Sequence, residues 1–203
     1  MDITETESKL LEQYSSIIGI DEAGRGPWAG PVVVVAFKLD KTAIAVEGVK
    51  DSKKTTLRQR LRIFGELKSK SKFKVACVNN QEIDRVGIKN ATEHAILVLI
   101  GAYQNTNPYF IVDGIFNIEI PNIKMRNKAD NEFYSVACAS ILAKVTRDKM
   151  MDKFAEEFPE YSFERHKGYG TMLHEQAIKQ YGLCRIHRRS FKPIQTIEQN
   201  LAS

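Results

Sequence analysis

The 203-residue sequence has only 3 cysteines, and Cys77, Cys138 and Cys184 lie far apart along the chain. Their number and spacing exclude a disulfide framework and a CxxC zinc site, which fits a reducing compartment. No apolar run approaches the roughly 20 residues of a membrane helix. The N-terminal MDITETESKLLEQY lacks the basic start and apolar centre of a secretory signal. We therefore expect a cytoplasmic location without membrane association.

A strong charge of either sign is also missing from the sequence. The net charge of +5 permits a polyanionic partner without demonstrating one. Repeats and low-complexity linkers are absent, and a hydrophobic fraction of 43% is ordinary for a globular protein. The length favours one domain.

Hydrophobic patterning predicts that strands come first and that helices alternate with them later. The expected strands are SIIGI, PVVVVAFKL, FKVACV, YFIVDG and NIKM. The expected helices are about 56–68, a long one from Ile88, one within KADNEFYSVACASILAKVTRDKMMDKFAEEFP, and TMLHEQAIKQYG between Thr171 and Gly182. This order indicates a mixed sheet with helices packed on it.

Acidic residues stand at the ends of three predicted elements. Asp21 and Glu22 close the first strand, Asp113 closes the YFIVDG strand, and Asp130 precedes a helix. Two adjacent carboxylates repel each other, and burial strengthens the repulsion, so a bound divalent cation is the obvious compensation. Because no histidine or cysteine is nearby in sequence, these acids favour Mg²⁺ or Mn²⁺ over zinc.

Structural explanations compete with this interpretation. Asp113-Gly114 is also a turn dipeptide, and Asp130 alone is better explained as a helix cap. Lysine and arginine residues surround His166, His174 and His187 in the sequence. These three histidines are interpreted equally as phosphate-facing surface residues or as groups that take part in the chemistry. The cysteines are read as core fillers.

Six segments of the chain resemble, in order, those of the type 2 ribonucleases H. They are GIDEAGRGPWAGPVV, DSKK, IVDG, KAD with ASILAKVTRD, HKGYGT, and HRRSF. Each is weak alone, but together and in order they are highly specific, and they run from about Ile17 to Pro193. The HKGYGT and HRRSF end is more like the bacterial branch. Trp28 stands where an aliphatic residue is expected, which we interpret as a change in loop packing.

The resemblance implies an α/β fold with a ribonuclease H-like mixed central sheet flanked by helices. It implies a single domain over residues 1–203, with a core at about 17–160 and a small helical C-terminal segment at about 161–203. The implied activity is metal-dependent hydrolysis of the RNA strand of RNA–DNA hybrids. Duplex DNA is expected to be nicked 5′ of embedded ribonucleotides, leaving 5′-phosphate and 3′-hydroxyl ends, as in ribonucleotide excision repair.

The resemblance also assigns roles to residues. The catalytic and metal-binding acids, which hold two divalent cations, Mg²⁺ or Mn²⁺, are Asp21, Glu22, Asp113 and Asp130. The substrate-binding residues are Gly24, Arg25 and Gly26 around the ribose 2′-hydroxyl, Ser52 and Lys53 at phosphates, and Tyr169 against the neighbouring sugar. Lys144 and Arg147 are read as phosphate-facing, although Lys144 is equally placed to pair with Asp148 one helical turn on.

Three other functions are weighed against this one. A junction resolvase needs the acids but not the GRG and GYGT segments. A type 3 ribonuclease H carries an additional N-terminal domain, for which the acids beginning at Asp21 leave no room. A non-catalytic nucleic-acid-binding protein is disfavoured because all four acids are present.

The expected partners are RNA–DNA hybrid and ribonucleotide-containing duplex DNA, bound by a monomer. The C-terminal PIQTIEQNLAS contains a glutamine and aliphatic residues that suggest a DNA clamp partner. An ordinary frayed tail is the favoured reading of this segment.

Overall fold

A computed structural model describes residues 1–49 and 55–202. Within these ranges five strands form one mixed sheet in the order β3-β2-β1-β4-β5. They are β1 (Ser16–Ala23), β2 (Val32–Asp40), β3 (Lys72–Val78), β4 (Pro108–Asp113) and β5 (Ile123–Arg126). Strand β2 is antiparallel to β1 and β3, whereas β4 is parallel to β1 and β5. All five expected strands are confirmed.

Helices pack on both faces of this sheet and continue beyond it at the C-terminus. They are α1 (Glu5–Gln13), α2 (Leu57–Lys70), α3 (Asn80–Val86), α4 (Ile88–Gly101), α5 (Tyr134–Glu157), α6 (Phe163–His166), α7 (Met172–Tyr181) and α8 (Lys192–Ala202). Single 3₁₀ turns lie at Gln104–Thr106, Ala129–Asn131 and Pro159–Tyr161. The four helices expected from the sequence are α2, α4, α5 and α7, and the mixed sheet flanked by helices is confirmed.

The expectation of a frayed C-terminal tail is wrong, because α8 continues to Ala202. Ile194 and Ile197 are buried on one face of α8, where they join the apolar core under α6 and α7. Pro193 lies in the first turn of α8, where the N–H group that proline lacks has no helical acceptor anyway.

Strand β1 is the centre of the sheet, and apolar side chains cover both of its faces. Ile17 packs toward α5, whereas Ile18 and Ile20 pack toward α4. Gly19 faces α5, and a Cβ at this position would collide with the backbone of Ser135. The missing side chain therefore allows α5 to lie directly on the strand that ends in the acidic pair.

A buried carboxylate from α1 fixes the N-terminus of α5. The backbone N–H groups of Tyr134 and Ser135 donate to Glu7 at 3.1 and 2.8 Å. Residue Phe133 stands at the N-cap of α5 and makes no side-chain cap bond. Asp130 lies one short turn earlier, so the reading of Asp130 as the cap of this helix is wrong.

The three cysteines do not share the core role expected of them. Only Cys138, on α5, is fully buried. Cys184 is half-buried, and Cys77 is exposed. Cys77 is exposed because β3 is an edge strand with little cover.

The three histidines read equally as phosphate-facing surface or as catalytic groups are buried inside the C-terminal helical segment. Exposure is 8% for His166, 0% for His174 and 2% for His187. The Nε2 atoms of His174 and His187 are 3.0 Å apart, and the rings of His166 and His174 stack with centroids 4.5 Å apart. Burial lowers the pKa of His174 to about 3 and that of His187 to about 4. The pKa of His166 is also lowered, again by burial.

We predict that these buried imidazoles stay neutral in the folded protein well below their usual titration range. Between the unfolded pKa near 6.5 and the lowered folded values, the unfolded chain binds protons that the folded chain does not. The free energy of unfolding that comes from this cluster therefore falls as the pH falls through this window, by up to about 2 kcal/mol per ring at pH 5. The measurement is the NMR titration of the ring protons from pH 8 to 5.

The urea-unfolded chain supplies the control, because the same rings should titrate there near pH 6.5. A midpoint near 6.5 for His174 or His187 in the folded protein would contradict the buried, uncharged cluster.

Candidate active site

The four acids expected to act together line one cavity of about 520 Å³, which lies at the carboxyl ends of β1 and β4. The residues around it are Asp21, Glu22, Ala23, Gly24, Arg25, Gly26, Arg60, Asp113, Asp130, Ser140, Lys144, Arg147 and Tyr169. The structure therefore brings together the expected acids, the GRG segment and Tyr169. Ser52 and Lys53 lie outside the described residues.

Strand order explains how Asp21 and Asp113 meet. Strands β1 and β4 are parallel neighbours, and their pairing ends with Ile20 opposite Val112. The next residue of each strand is one of the two acids. Because parallel strands end at the same edge of a sheet, Asp21 and Asp113 come to lie beside each other.

A hydrogen bond across the cavity floor ties Asp113 to the turn that carries Asp130. The Ala129 N–H donates to Asp113 Oδ1 at 2.8 Å. The chain leaves β4 through Gly114 at a φ of +94°, a conformation that favours glycine. Asp113-Gly114 is thus a turn, which was the structural alternative considered for this dipeptide. Asp113 also positions the 3₁₀ turn that carries Asp130. Asp130 is buried, and Asn131 donates to its Oδ1 at 3.0 Å.

Asp21 lies in a negative environment that destabilises its charged form. Burial raises the pKa of Asp21 well above its usual value, and the negative charges of Glu22 and Asp113 raise it further. Hydrogen bonds from the Ser140 hydroxyl and the Glu22 N–H act in the opposite direction. A cation bound between these carboxylates would remove the repulsion.

The donor set fits a hard divalent cation that keeps part of its water shell. Four carboxylates line the cavity, and no imidazole or thiol lines it within the described ranges. In the same ranges no three acidic, histidine or cysteine side chains already form a closed cage for one ion. Such a cage is not required of Mg²⁺, which binds through one or two carboxylates together with water and substrate phosphates.

The GRG segment lines the same cavity as the acids. Gly24 adopts a φ of +100°. The Arg25 side chain contacts Glu22, with 3.4 Å between Nη1 and Oε1, and lies over the Phe116 ring at 5.8 Å. A Cβ at Gly26 would lie 3.7 Å from Cε1 of Tyr169, so the Tyr169 ring stands directly beside this glycine.

Hydrogen bonds fix the backbone of Tyr169, whereas its side chain is accessible to a ligand. The residue is 45% exposed. Its N–H donates to the His166 carbonyl at 2.9 Å, and its own carbonyl lies 3.0 Å from His174 Nδ1. Trp28 packs against Gly170 just beyond it, because a Cβ at Gly170 would collide with the indole. The interpretation of Trp28 as a loop-packing residue is confirmed.

The two basic residues of α5 that were read as phosphate-facing have other partners. Lys144 Nζ lies 2.8 Å from Asp148 Oδ1, so the expected pairing is confirmed. Arg147 is 1% exposed, and its guanidinium donates to the carbonyls of Ala29, Pro31 and Lys167. Arg147 is therefore a buried structural cation, and the reading of it as a phosphate contact is wrong.

Sequence reasoning missed the second buried arginine behind the site. Arg188 is fully buried, and its guanidinium donates to three backbone carbonyls of the glycine-rich segment, residues 24–30. The only signal in the sequence was the HRRSF segment, which was matched as a string without a role for either arginine.

We predict that Asp113→Asn stabilises the protein in chelator. The amide keeps an oxygen that can accept the Ala129 bond but removes one of the charges next to Asp21. Relief of this repulsion should raise the melting temperature by about 2–4 °C, equivalent to about 1 kcal/mol. The matched control is Asp2→Asn, which removes the same charge from an exposed position. An unchanged or lower melting temperature for Asp113→Asn would contradict the proposed repulsion.

Comparison with known proteins identifies similar chains. The family model for ribonuclease HII matches residues 18–194. Ribonuclease HII from Caldicellulosiruptor saccharolyticus is 46% identical over 190 residues, which cover 91% of each chain. Ribonuclease HII from Chlamydia trachomatis is 42% identical over 192 residues, which cover 93% of this chain and 88% of that protein.

Solved structures share the same fold. Ribonuclease H2 from Pyrococcus horikoshii OT3 superposes with a TM-score of 0.77 at 28% identity, covering 93% of this chain and 99% of that chain. The PCNA:RNase HII complex from Archaeoglobus fulgidus has a TM-score of 0.72 at 24% identity, covering 90% and 97%. Bst-RNase HIII in complex with Mn²⁺ has a TM-score of 0.71 at 21% identity, covering 94% and 72%.

Proposed function

This chain belongs to the ribonuclease HII family, and from that membership we propose that it is a divalent-cation-dependent endonuclease that also nicks duplex DNA 5′ of embedded ribonucleotides. The family and its relatives establish a ribonuclease H hydrolase acting on RNA–DNA hybrids. One observation carries the finer proposal: four carboxylates, the GRG segment and an exposed tyrosine ring meet in a single cavity.

The residues that would hold the cations, Mg²⁺ or Mn²⁺, are Asp21, Glu22, Asp113 and Asp130. Bound divalent cations would supply an activated water and stabilise the leaving 3′ oxygen, so that products carry 5′-phosphate and 3′-hydroxyl ends. The chain contributes the rigid placement of these acids, because β1 and β4 end side by side and Asp113 is fixed by the Ala129 bond. The Mn²⁺ complex of Bst-RNase HIII is a structure with the same fold.

Recognition of the ribose is assigned to Gly24, Arg25, Gly26 and Tyr169. A 2′-hydroxyl both donates and accepts hydrogen bonds, and it is the group that distinguishes RNA from DNA at one nucleotide. The glycines allow the backbone of this segment to approach a sugar closely, and the Tyr169 ring stands beside Gly26. The phosphate contacts proposed for Ser52 and Lys53 remain predictions.

A clamp partner for the C-terminus is the less favoured part of the proposal. The structure from Archaeoglobus fulgidus is a PCNA:RNase HII complex. In this chain the aliphatic residues Ile194 and Ile197 of the same segment are buried against α6 and α7. A clamp would therefore have to bind the exposed side of α8, such as Leu201, which is 51% exposed.

We further propose that the protein acts in ribonucleotide excision repair, as a cytoplasmic monomer. Within residues 1–49 and 55–202 no helix is both long and apolar enough to span a bilayer.

We predict that a duplex with one ribonucleotide is nicked on the 5′ side of that residue in Mg²⁺ or Mn²⁺, and that chelator stops the reaction. Asp113→Asn should lower the rate at least about 100-fold, since even indirect partners of metal ligands cost 10–100-fold when removed. Gel analysis of end-labelled strands measures both effects. Asp2→Asn is the control, and the all-DNA duplex of the same sequence should survive. Cleavage in chelator, or near-normal activity of the Asp113 variant, would overturn the proposal.

We predict that the ring of Tyr169 matters more than its hydroxyl. Tyr169→Ala should lower cleavage at a single ribonucleotide about 100-fold, because a misplacement of about 1 Å at the reacting phosphate has an effect of that size. Tyr169→Phe should retain more activity, and binding should change less than rate. Tyr181→Ala serves as the control, because this tyrosine is 54% exposed and does not line the cavity. Equal rates for the Ala variant and the parent would make Tyr169 a packing residue only.

A further inference from the structure

We propose that Arg188 is a positioning residue that aims the backbone N–H groups of Arg25 and Gly26 into the cavity as donors for the substrate. This inference rests on the proposed function and names the residue behind its ribose selectivity. It concerns a side chain that does not line the cavity and to which the motif comparison assigned no role.

The Arg188 guanidinium bridges both ends of the glycine-rich segment. Its Nη2 donates to the Gly24 carbonyl at 2.6 Å and its Nη1 to the Arg25 carbonyl at 3.0 Å. Its Nε donates to the Gly30 carbonyl at 2.9 Å. One planar, rigid group therefore fixes two successive peptide carbonyls and a third carbonyl, that of Gly30, two residues before β2 begins.

The direction of the N–H groups follows from peptide geometry. In a planar trans peptide the carbonyl of one residue and the N–H of the next point in opposite directions. Because Arg188 binds the carbonyls of Gly24 and Arg25, the N–H groups of Arg25 and Gly26 point away from Arg188. Both residues line the cavity, so these two donors face its interior.

These two donors are available in the described structure. Within residues 1–49 and 55–202, neither the Arg25 nor the Gly26 N–H donates to another protein group. Successive N–H groups with one orientation form a concave site for an anionic or hydroxyl oxygen. The ligand class is therefore a ribonucleotide within a duplex, bound through its 2′-hydroxyl or an adjacent phosphate oxygen.

The position of Arg188 itself is fixed by the C-terminal segment. Its N–H donates to the Trp28 carbonyl at 2.8 Å, and its neighbour His187 pairs with Ala29 as an isolated β-bridge. The guanidinium also lies over the Phe191 ring at 5.1 Å. Burial, together with the charge of nearby Arg147, lowers the pKa of Arg188 to about 9. A buried cation that keeps three carbonyl contacts is an anchor with little freedom to move.

The test is Arg188→Lys, since lysine keeps the charge but lacks the planar fork that reaches three carbonyls. Two quantities are measured at a temperature where circular dichroism shows the variant folded. The first is kcat and KM on the single-ribonucleotide duplex. The second is the ratio of affinities for that duplex and the all-DNA duplex, in Ca²⁺. We expect kcat to fall at least about tenfold, and the affinity ratio to fall toward one.

Two control variants separate positioning from loss of stability. Ile194→Val removes one methylene group from the same C-terminal core and leaves the Arg188 side chain unchanged. Arg189→Lys changes the adjacent arginine, whose side chain is 67% exposed and faces Glu198. Both should keep the affinity ratio and the kcat of the parent. An Arg188→Lys variant that also keeps both would overturn the inference.

A second measurement needs only the parent protein, so it can be made even if the Arg188→Lys variant does not fold. The amide resonances of Arg25 and Gly26 should shift on addition of the ribonucleotide duplex and shift less with the all-DNA duplex. Equal shifts with both duplexes would also overturn the inference. If instead the parent fails to cut the ribonucleotide duplex at all, the proposed function is what fails.

Discussion

The repulsion between carboxylates at the shared end of β1 and β4 is the constraint on which the site depends. The acids cannot relax apart, because β1 is buried on both faces and hydrogen-bonded to β2 and β4. Gly19 brings α5 directly onto this strand, and Ser140 of α5 reaches Asp21 from above. The rigid sheet thus maintains a concentration of negative charge that a flexible loop would disperse, and a divalent cation is the ligand that this arrangement favours.

Long-range tethers complete the site, and local sequence patterns cannot reveal them. Glu7 caps α5 from 127 and 128 residues away, and Arg188 reaches Gly24 across 164 residues. Each tether is a buried charge satisfied by backbone groups, an arrangement that is costly to disrupt because the orphaned charge stays buried. In the sequence these residues are an ordinary acid in an amphipathic segment and one arginine of an adjacent pair.

Prediction from the sequence was most successful where one local signal was enough. Runs of β-branched residues located the strands, and Thr56 and Thr171 marked helix starts that the structure confirms. It missed α1 and α3, although α1 has a Thr4–Glu7 capping box and Asn79 caps α3, and it missed α8. The buried histidines were misread for another reason: Lys167, Arg185 and similar neighbours suggested a surface, but the packing of α6 and α7 removes His174 from water. The four acids were singled out because each stands at the end of a predicted element, and the structure brings them to one cavity.

The C-terminal segment is part of the site rather than an appendage to it. Its buried histidines hold the backbone of Tyr169, and its β-bridge at His187 holds Ala29 of the glycine-rich segment. Because the Tyr169 ring lies beside Gly26, a shift of this C-terminal segment relative to the sheet would move the tyrosine and the glycine together. Under the proposed function, selection of the sugar and placement of its phosphate would be coupled through one packed unit. The acids would provide hydrolysis, and the docking of α6, α7 and Arg188 would decide which phosphate reaches them.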